Sequence, residues 1–410
     1  MMEKKIKKRW VLVDTYFAAD DNCEHFYKWL RKEHPEIHLT YLLDRSSKDY
    51  NRLKKEGFHL VQKHTNEFYE ECINAQTLIS SQLWKQICEE YKPKESQKII
   101  FIPHGITLGD SSRYFNKGDF DLCTSCIENE YNSYISGEYN YKANKNVFKL
   151  TGMPRHDTLI KKLNTHNKCD ERIISFVFTY RANNENPKEY YYTLNKLFNC
   201  KYLKEIHTKY GIKFRVKFHP WITKKGYESK FSLPSYIENC RNMSYQEFLL
   251  DTDILISDYS SACQEFAVIG RNILYYQFDR NTFLSKTSTH SYDLGWFDWD
   301  KDSLGKICLT EEELCKSIDK IISNNFEVEQ LYKDRMKNFF KFSDTENCKR
   351  VFETIVENQD IPRWENNSNY KPIGVKSKYD RIIQLRKDIA DGKIVKVHVS
   401  DGKFVWKRIK

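Results

Sequence analysis

The chain has 410 residues, 40% hydrophobic and 30% charged, with a formal net charge of +10. That length allows two ordinary domains, and no stretch approaches the roughly 18 apolar residues of a membrane span. The densest basic patches are terminal, at Lys4, Lys5, Lys7, Lys8 and Arg9 and at Lys403, Lys407, Arg408 and Lys410. They do not form a nucleic-acid-binding arm, and the positive excess suits phosphate-bearing ligands, an anionic membrane face or simple solubility.

Predicted elements alternate along the first half. Strands are expected at Trp10–Val13, Leu39–Leu43, Thr77–Ser80, Lys98–Ile102, Leu122–Thr124 and Val147–Leu150. Helical patterns at Cys23–Glu33, Lys48–Glu56 and Leu83–Tyr91 lie between them. The alternation predicts βαβ units around a parallel sheet. A polar stretch, Asn164–Asp170, separates this half from a second series. There the pattern gives a strand at Ile173–Thr179, one long helix over Tyr190–Tyr210, and strands at Lys213–Phe218, Ile254–Ile256 and Asn272–Tyr276. Helices are expected at Glu311–Ser323 and Val328–Phe342. From about Pro362 the character changes to a polar stretch, a helix at Tyr379–Ile389 and a hairpin, Lys393–Val399 and Phe404–Ile409, joined at Asp401-Gly402. The expected architecture is α/β: a first Rossmann-like lobe over 1–165, a second over 166–361, and a helix-plus-hairpin extension over 362–410.

Twelve cysteines in a long chain with a charged N-terminus and no apolar leader fit free thiols in the cytoplasm. Cys123 and Cys126 form a lone C-x-x-C with no second pair at zinc spacing, so no metal is expected.

The chemistry-bearing residues gather at predicted strand ends. Asp258-Tyr259-Ser260-Ser261 follows the strand Ile254–Ile256 and opens a helical pattern from Ala262 to Ile269. Two hydroxyls and free backbone N–H groups at a helix start suit a phosphate, although either serine also fits a plain N-cap. His104-Gly105, Arg181 and His219-Pro220 also lie just past strand ends, where ligands collect in open α/β sheets. A neutral His can take a proton from a hydroxyl near pH 7. Gly105 lets backbone approach a ligand, Arg181 can grip a phosphate, and a protonated His219 can neutralise a leaving phosphate. Glu265, four residues after Ser261, can accept from a ribose hydroxyl pair. Each of these also has an ordinary reading, as a packed loop histidine or a solvated helix residue, and their number at one end of the strands favours a cleft between two lobes.

These segments carry a resemblance. Phe101-Ile102-Pro103-His104-Gly105-Ile106-Thr107, with Gly109-Asp110, resembles the His-Gly motif of the CDP-glycerol glycerophosphotransferase family, which makes teichoic acids and related surface polymers. Thr151-Gly152-Met153-Pro154-Arg155-His156-Asp157, Phe178-Thr179-Tyr180-Arg181, Phe218-His219-Pro220 and Leu250 to Glu265 are similar to further motifs of that family. So are Tyr276-Gln277-Phe278-Asp279, His290 and Gly295-Trp296-Phe297-Asp298, and Phe178 stands where proline is usual. The resemblance covers roughly 98 to 320; the first 95 residues and the extension carry no family motif.

The resemblance implies a GT-B-type fold and metal-free, cofactor-free transfer of glycerol phosphate or a related alditol phosphate from a CDP-linked donor to a surface glycan or lipid-linked acceptor, with release of CMP. It implies His104 as the base, assisted by His219. Arg155, Arg181, His219, Ser260 and Ser261 would hold the donor pyrophosphate, Asp258 would order their loop, and Glu265 would contact the cytidine ribose. Gly105, Asp110 and His290 are candidates on the acceptor side. A cytoplasmic protein in peripheral contact with an anionic membrane follows from the same likeness, with no nucleic-acid partner. A nucleotide-sugar glycosyltransferase of capsule or lipopolysaccharide synthesis and a non-enzymatic scaffold are the competing readings.

Overall fold

The computed structural model describes residues 9–143, 145–168, 170–181, 187–285, 295–361, 393–400 and 403–408. Two parallel sheets dominate. The first has seven strands: β1 (Arg9–Val13), β2 (His38–Leu42), β3 (Leu60–Val61), β4 (Thr77–Ser80), β5 (Lys98–Phe101), β6 (Leu122–Ser125) and β7 (Phe148–Leu150). Their order is β3-β2-β1-β4-β5-β6-β7. The second has six: β8 (Ile173–Phe176), β9 (Lys213–Val216), β10 (Ile237–Asn239), β11 (Ile254–Ser257), β12 (Asn272–Tyr276) and β13 (Lys306–Cys308), in the order β10-β9-β8-β11-β12-β13. Each sheet reverses its winding once, between β1 and β4 and between β8 and β11. This is the doubly wound order whose ligand crevice opens at the reversal. The protein is therefore a pair of Rossmann-like lobes of GT-B type.

The central strands β1, β4, β5, β8, β11 and β12 are short and, apart from Arg9 at the start of β1, buried along their length because helices cover both faces of each sheet. Val11, Val13, Leu78 and Phe101 pack on one face of the first sheet; Trp10, Leu12, Ile79 and Ile100 pack on the other. A third core, around Tyr259 and Phe266 of the second lobe, also takes in Ile106, Leu108, Cys126 and Met153 of the first. The two lobes thus share buried apolar surface. The helix Asn347–Asn358 places Val351, Phe352 and Ile355 in the same cluster as Trp10 and Phe26 of the first lobe. Its start is fixed by Asp157, whose carboxylate accepts from Asn347 N at 2.9 Å and Cys348 N at 2.8 Å.

Several local expectations need correction. The single helix expected over Tyr190–Tyr210 is two, Pro187–Phe198 and Lys201–Tyr210. Between them Cys200 is extended (φ −69, ψ 147), and Asn199 Nδ2 donates to Ser232 O at 2.8 Å, tying the break to the next loop. The helix expected over Leu83–Tyr91 is a single turn, Trp84–Ile87, because the Trp84 indole and the Tyr91 hydroxyl bond to the loop that follows. The helix from Ala262 ends at Phe266 instead of Ile269. The strands β3, β10 and β13 and the helix Asn66–Asn74, capped by Thr65, escape the hydrophobic pattern. The terminal hairpin is present as Ile394–Ser400 and Lys403–Arg408, antiparallel. The helix expected at Tyr379–Ile389 and the Asp401-Gly402 turn lie outside the described residues.

Candidate active site

The crevice of the second lobe is built from the segments that follow β8 and β11. Asp258, fully buried, accepts from the Thr179 amide at 2.9 Å and its hydroxyl at 2.8 Å. Arg181 reaches the same carboxylate at 2.7 Å and Asp279 at 2.9 Å, and it donates to Thr179 O at 2.8 Å. Its guanidinium is enclosed by the rings of Tyr190, Tyr259 and Phe283 at 5.1, 5.5 and 4.3 Å. The two carboxylates hold Arg181 above the ordinary arginine range. Arg181 is therefore a buried tie between two loops. Beyond it, Ser260 and Ser261 remain half-buried at the crevice, and Ser260 Oγ accepts from Ala262 N at 3.3 Å.

His219 enters from the end of β9. Its ring lies 5.8 Å from that of Tyr180 at 19°, and Nδ1 accepts from Trp221 N at 3.2 Å. That bond leaves the proton on Nε2. Desolvation, with His104 across the cleft adding to it and Asp258 opposing, pushes this imidazole down to about 4. His219 so placed is a neutral Nε2–H donor, and an anion beside it would raise its pKa.

His104 sits past β5, with its amide donating to Ser81 O at 3.2 Å. The side chain is exposed at the cleft. Desolvation holds it below the ordinary histidine value, with Arg155 pushing the same way and Asp21 opposing. Next to it, a Cβ on Gly105 would stand 2.9 Å from Ser261 Oγ and 3.2 Å from Ser261 Cβ. The loop carrying the candidate base therefore touches the serine turn of the other lobe, and a side chain on Gly105 would displace the Ser261 hydroxyl.

Arg155 joins the lobes. It starts the helix Pro154–Thr165, presented by Gly152, whose φ of +86 and contact with Asn347 exclude a side chain. Its guanidinium bonds Glu265 Oε1 at 2.8 Å, His104 O at 2.6 Å and the Asp21 carboxylate. Glu265 is buried, and desolvation raises its pKa against the pull of Arg155. Asp110 is also buried, accepting from Ser112 N at 2.8 Å within its own loop. His290 lies outside the described residues.

Sequence reasoning missed the acidic start of the first lobe. Asp14, buried at the end of β1, accepts from Cys23 N at 2.8 Å, Tyr41 Oη at 2.7 Å and the Ser81 hydroxyl. Burial, with Asp21 nearby, pushes it up to about 6. Asp20 (φ 74) accepts from Tyr245 N of the second lobe at 2.9 Å. An Asp directly after an apolar strand was the available signal. Among the described residues, His38, His59 and Glu71 are grouped with ligand atoms within 4.8 Å, but His38 begins β2, at the strand end opposite the cleft.

A family model described as CDP-glycerol:poly(glycerophosphate) glycerophosphotransferase matches residues 2–357. The chain is 26% identical over 377 residues to the minor teichoic acid biosynthesis protein GgaB of Bacillus subtilis, covering 86% of this chain and 40% of that protein. It is 23% identical to the teichoic acid ribitol-phosphate polymerase TarK of Staphylococcus aureus, covering 64% of this chain and 53% of TarK. The chain thus spans about half the length of these curated relatives or less. Among solved structures, the wall teichoic acid polymerase TagF matches with a TM-score of 0.63 at 16% identity, covering 87% of this chain and 92% of that one. A UDP-GlcNAc 2-epimerase from Neisseria meningitidis, bound to UDP-GlcNAc, matches with a TM-score of 0.52 at 12% identity, covering 85% of this chain and all of the other. Both share the two-lobed fold.

Proposed function

The chain belongs to the CDP-glycerol:poly(glycerophosphate) glycerophosphotransferase family, and from that premise we propose that it transfers glycerol phosphate, or a related alditol phosphate, from a CDP-linked donor to a hydroxyl of a surface polymer. The observation that supports this reading is the meeting of His104-Gly105 with Ser261 across the cleft, with His219 close enough to sense both His104 and Asp258. In this reading the donor pyrophosphate lies against Ser260, Ser261 and the Nε2–H of His219. His104, neutral at pH 7, takes the proton of the acceptor hydroxyl as its oxygen attacks the β-phosphorus. The bond from that phosphorus to the CMP oxygen breaks, and a phosphodiester forms. Positioning and charge neutralisation supply most of the rate, as in phosphoryl transfer generally.

Arg181 acts in this scheme through Asp258, by holding the serine turn, and not by touching phosphate. Arg155 has the corresponding place under His104, and Glu265 meets the ribose only if its bond to Arg155 is shared. The reaction needs no metal or organic cofactor in this reading. No helix among the described residues is long and apolar enough to cross a membrane, and we assign the protein to the cytoplasmic side, at an anionic membrane face where its acceptor is held. The test is a donor screen on the purified protein, with CDP-alditols beside nucleotide sugars and the released nucleotide identified. CMP from a CDP-alditol supports the proposal. A nucleoside diphosphate released from a sugar donor overturns it in favour of glycosyl transfer.

A further inference from the structure

Two exposed aromatic side chains meet at the mouth of the cleft from opposite lobes. Phe17 follows β1 and is 37% exposed; Trp221 follows β9 and is 44% exposed. Their ring centroids are 6.5 Å apart at 60°. Lys224 Nζ lies over both, 4.4 Å from the Phe17 ring and 4.9 Å from the Trp221 ring. Trp221 is two residues from His219 and bonds it through the main chain, so whatever covers this pair is continuous with the reacting centre.

Charge narrows the occupant. Lys224 forms no ion pair with any carboxylate of the described residues, and neither do its neighbours Lys225 and Lys230. Lys225 lies 5.6 Å from the Tyr180 ring and donates to its hydroxyl at 3.1 Å; Lys230 lies 4.0 Å from the Tyr227 ring. An aromatic surface crossed by unneutralised ammonium groups suits a chain that alternates carbon-bearing units with anions. Ring faces pack the C–H surfaces of polyol or sugar units, and each ammonium takes a phosphate. A bilayer would be met by a flat belt. Here the rings come from two lobes and flank a crevice, which fits one strand.

We propose that Phe17, Trp221 and Lys224 form a subsite for the acceptor chain, taking the phosphate-linked units behind the reacting hydroxyl. The proposal rests on the transferase reading above and adds the face along which the growing polymer leaves the cleft. It makes Phe17 and Trp221 specificity residues for chain length: an acceptor with several phosphate-linked units reaches them and a single unit does not.

The probe is a defined short oligomer of glycerol phosphate, titrated into the full chain. Binding should change the tryptophan fluorescence, and W221F should lose most of that change. F17A and K224A should each weaken oligomer binding roughly tenfold, in line with aromatic and cation contacts at a partly desolvated site, while CDP-glycerol binding stays as in the unmodified protein. K224E should weaken the oligomer further and flatten its salt dependence. In turnover, the same variants should raise KM for the oligomer and leave kcat and the donor KM in place. Oligomer affinity unchanged in F17A, W221A and K224A overturns the subsite. So does an oligomer that fails to bind while anionic phospholipid vesicles bind in a manner lost in W221A, which would make this face a membrane contact. Oligomer binding that depends on the three residues without CMP release from any CDP-alditol would leave the subsite standing and remove the reaction instead.

Discussion

A histidine serves as a base only if it is neutral when the hydroxyl arrives, and His104 meets that condition. Desolvation in the cleft, with the Arg155 guanidinium bonded to its carbonyl oxygen, holds it below its ordinary 6.5. H104A should therefore lose about a thousandfold in kcat, within the usual range for a lost general base, with CDP-glycerol affinity by calorimetry close to the unmodified value. Equal loss of turnover and donor binding would assign His104 to binding instead. His219 is pushed down to about 4, so it too is neutral through the physiological range. The acid limb of kcat/KM should accordingly fall below pH 6.5 and persist in H219N, whose defect should appear as weaker donor binding. A limb that vanishes in H219N would exchange the two roles.

At the scale of elements, the site depends on loops held in contact by their backbones. Between the lobes Gly295 is the sharpest of these, since a Cβ there would stand 2.2 Å from the Leu108 carbonyl oxygen; at Gly105 a methyl group would stand 2.9 Å from the Ser261 hydroxyl. G105A should push that hydroxyl out of the pyrophosphate position and weaken CDP-glycerol binding about as much as S261A does, roughly tenfold for one lost hydrogen bond to a charged group. The double variant should be little worse than either single one, because the two act at one contact. Additive losses would place the serine and the glycine in separate sites. Much of this arrangement was legible in the sequence. Asp258-Tyr259-Ser260-Ser261 and His104-Gly105 each follow a short apolar run, the pattern of a buried parallel strand, and His219 follows the alternating strand Lys213–Phe218. The chain pattern does not encode which polar groups neutralise each other. Arg181 reads as a phosphate grip but lies against Asp258 and Asp279, and the second carboxylate comes from the turn after β12, far along the chain. The same blindness hid Asp14, whose partners come from three other segments. The long helix expected over Tyr190–Tyr210 failed for a related reason. Its pattern stays amphipathic through Asn199 and Cys200, while Asn195 and Asn199 bond the Lys230–Ser232 loop across the break.

At the scale of the whole molecule, the seam between the lobes concentrates buried charge and so should respond to acid. His156 is the next residue to the bridging Arg155, with its ring edge-on to Phe340 at 5.2 Å. Desolvation, with Arg155 and His25 adding to it, pushes the imidazole down to about 3. The sign follows from linkage. The unfolded chain takes up a proton near 6.5 and the folded one does not until about 3, so this group's contribution is complete above 6.5 and is lost as the pH falls through that interval. Between about pH 7 and pH 5 the loss amounts to about 2 kcal/mol. Asp14, raised to about 6, acts in the opposite sense: its penalty at neutral pH is relieved as the pH falls toward the unfolded 3.8. The two are separable by substitution. H156Q should lower the melting temperature at pH 7 through lost packing yet lose fewer degrees than the unmodified protein on transfer to pH 5, while D14N should lose more. Parallel shifts in all three proteins would mean that neither group governs acid stability and that the seam is held chiefly by the apolar contacts of Ile106, Met153 and Phe266.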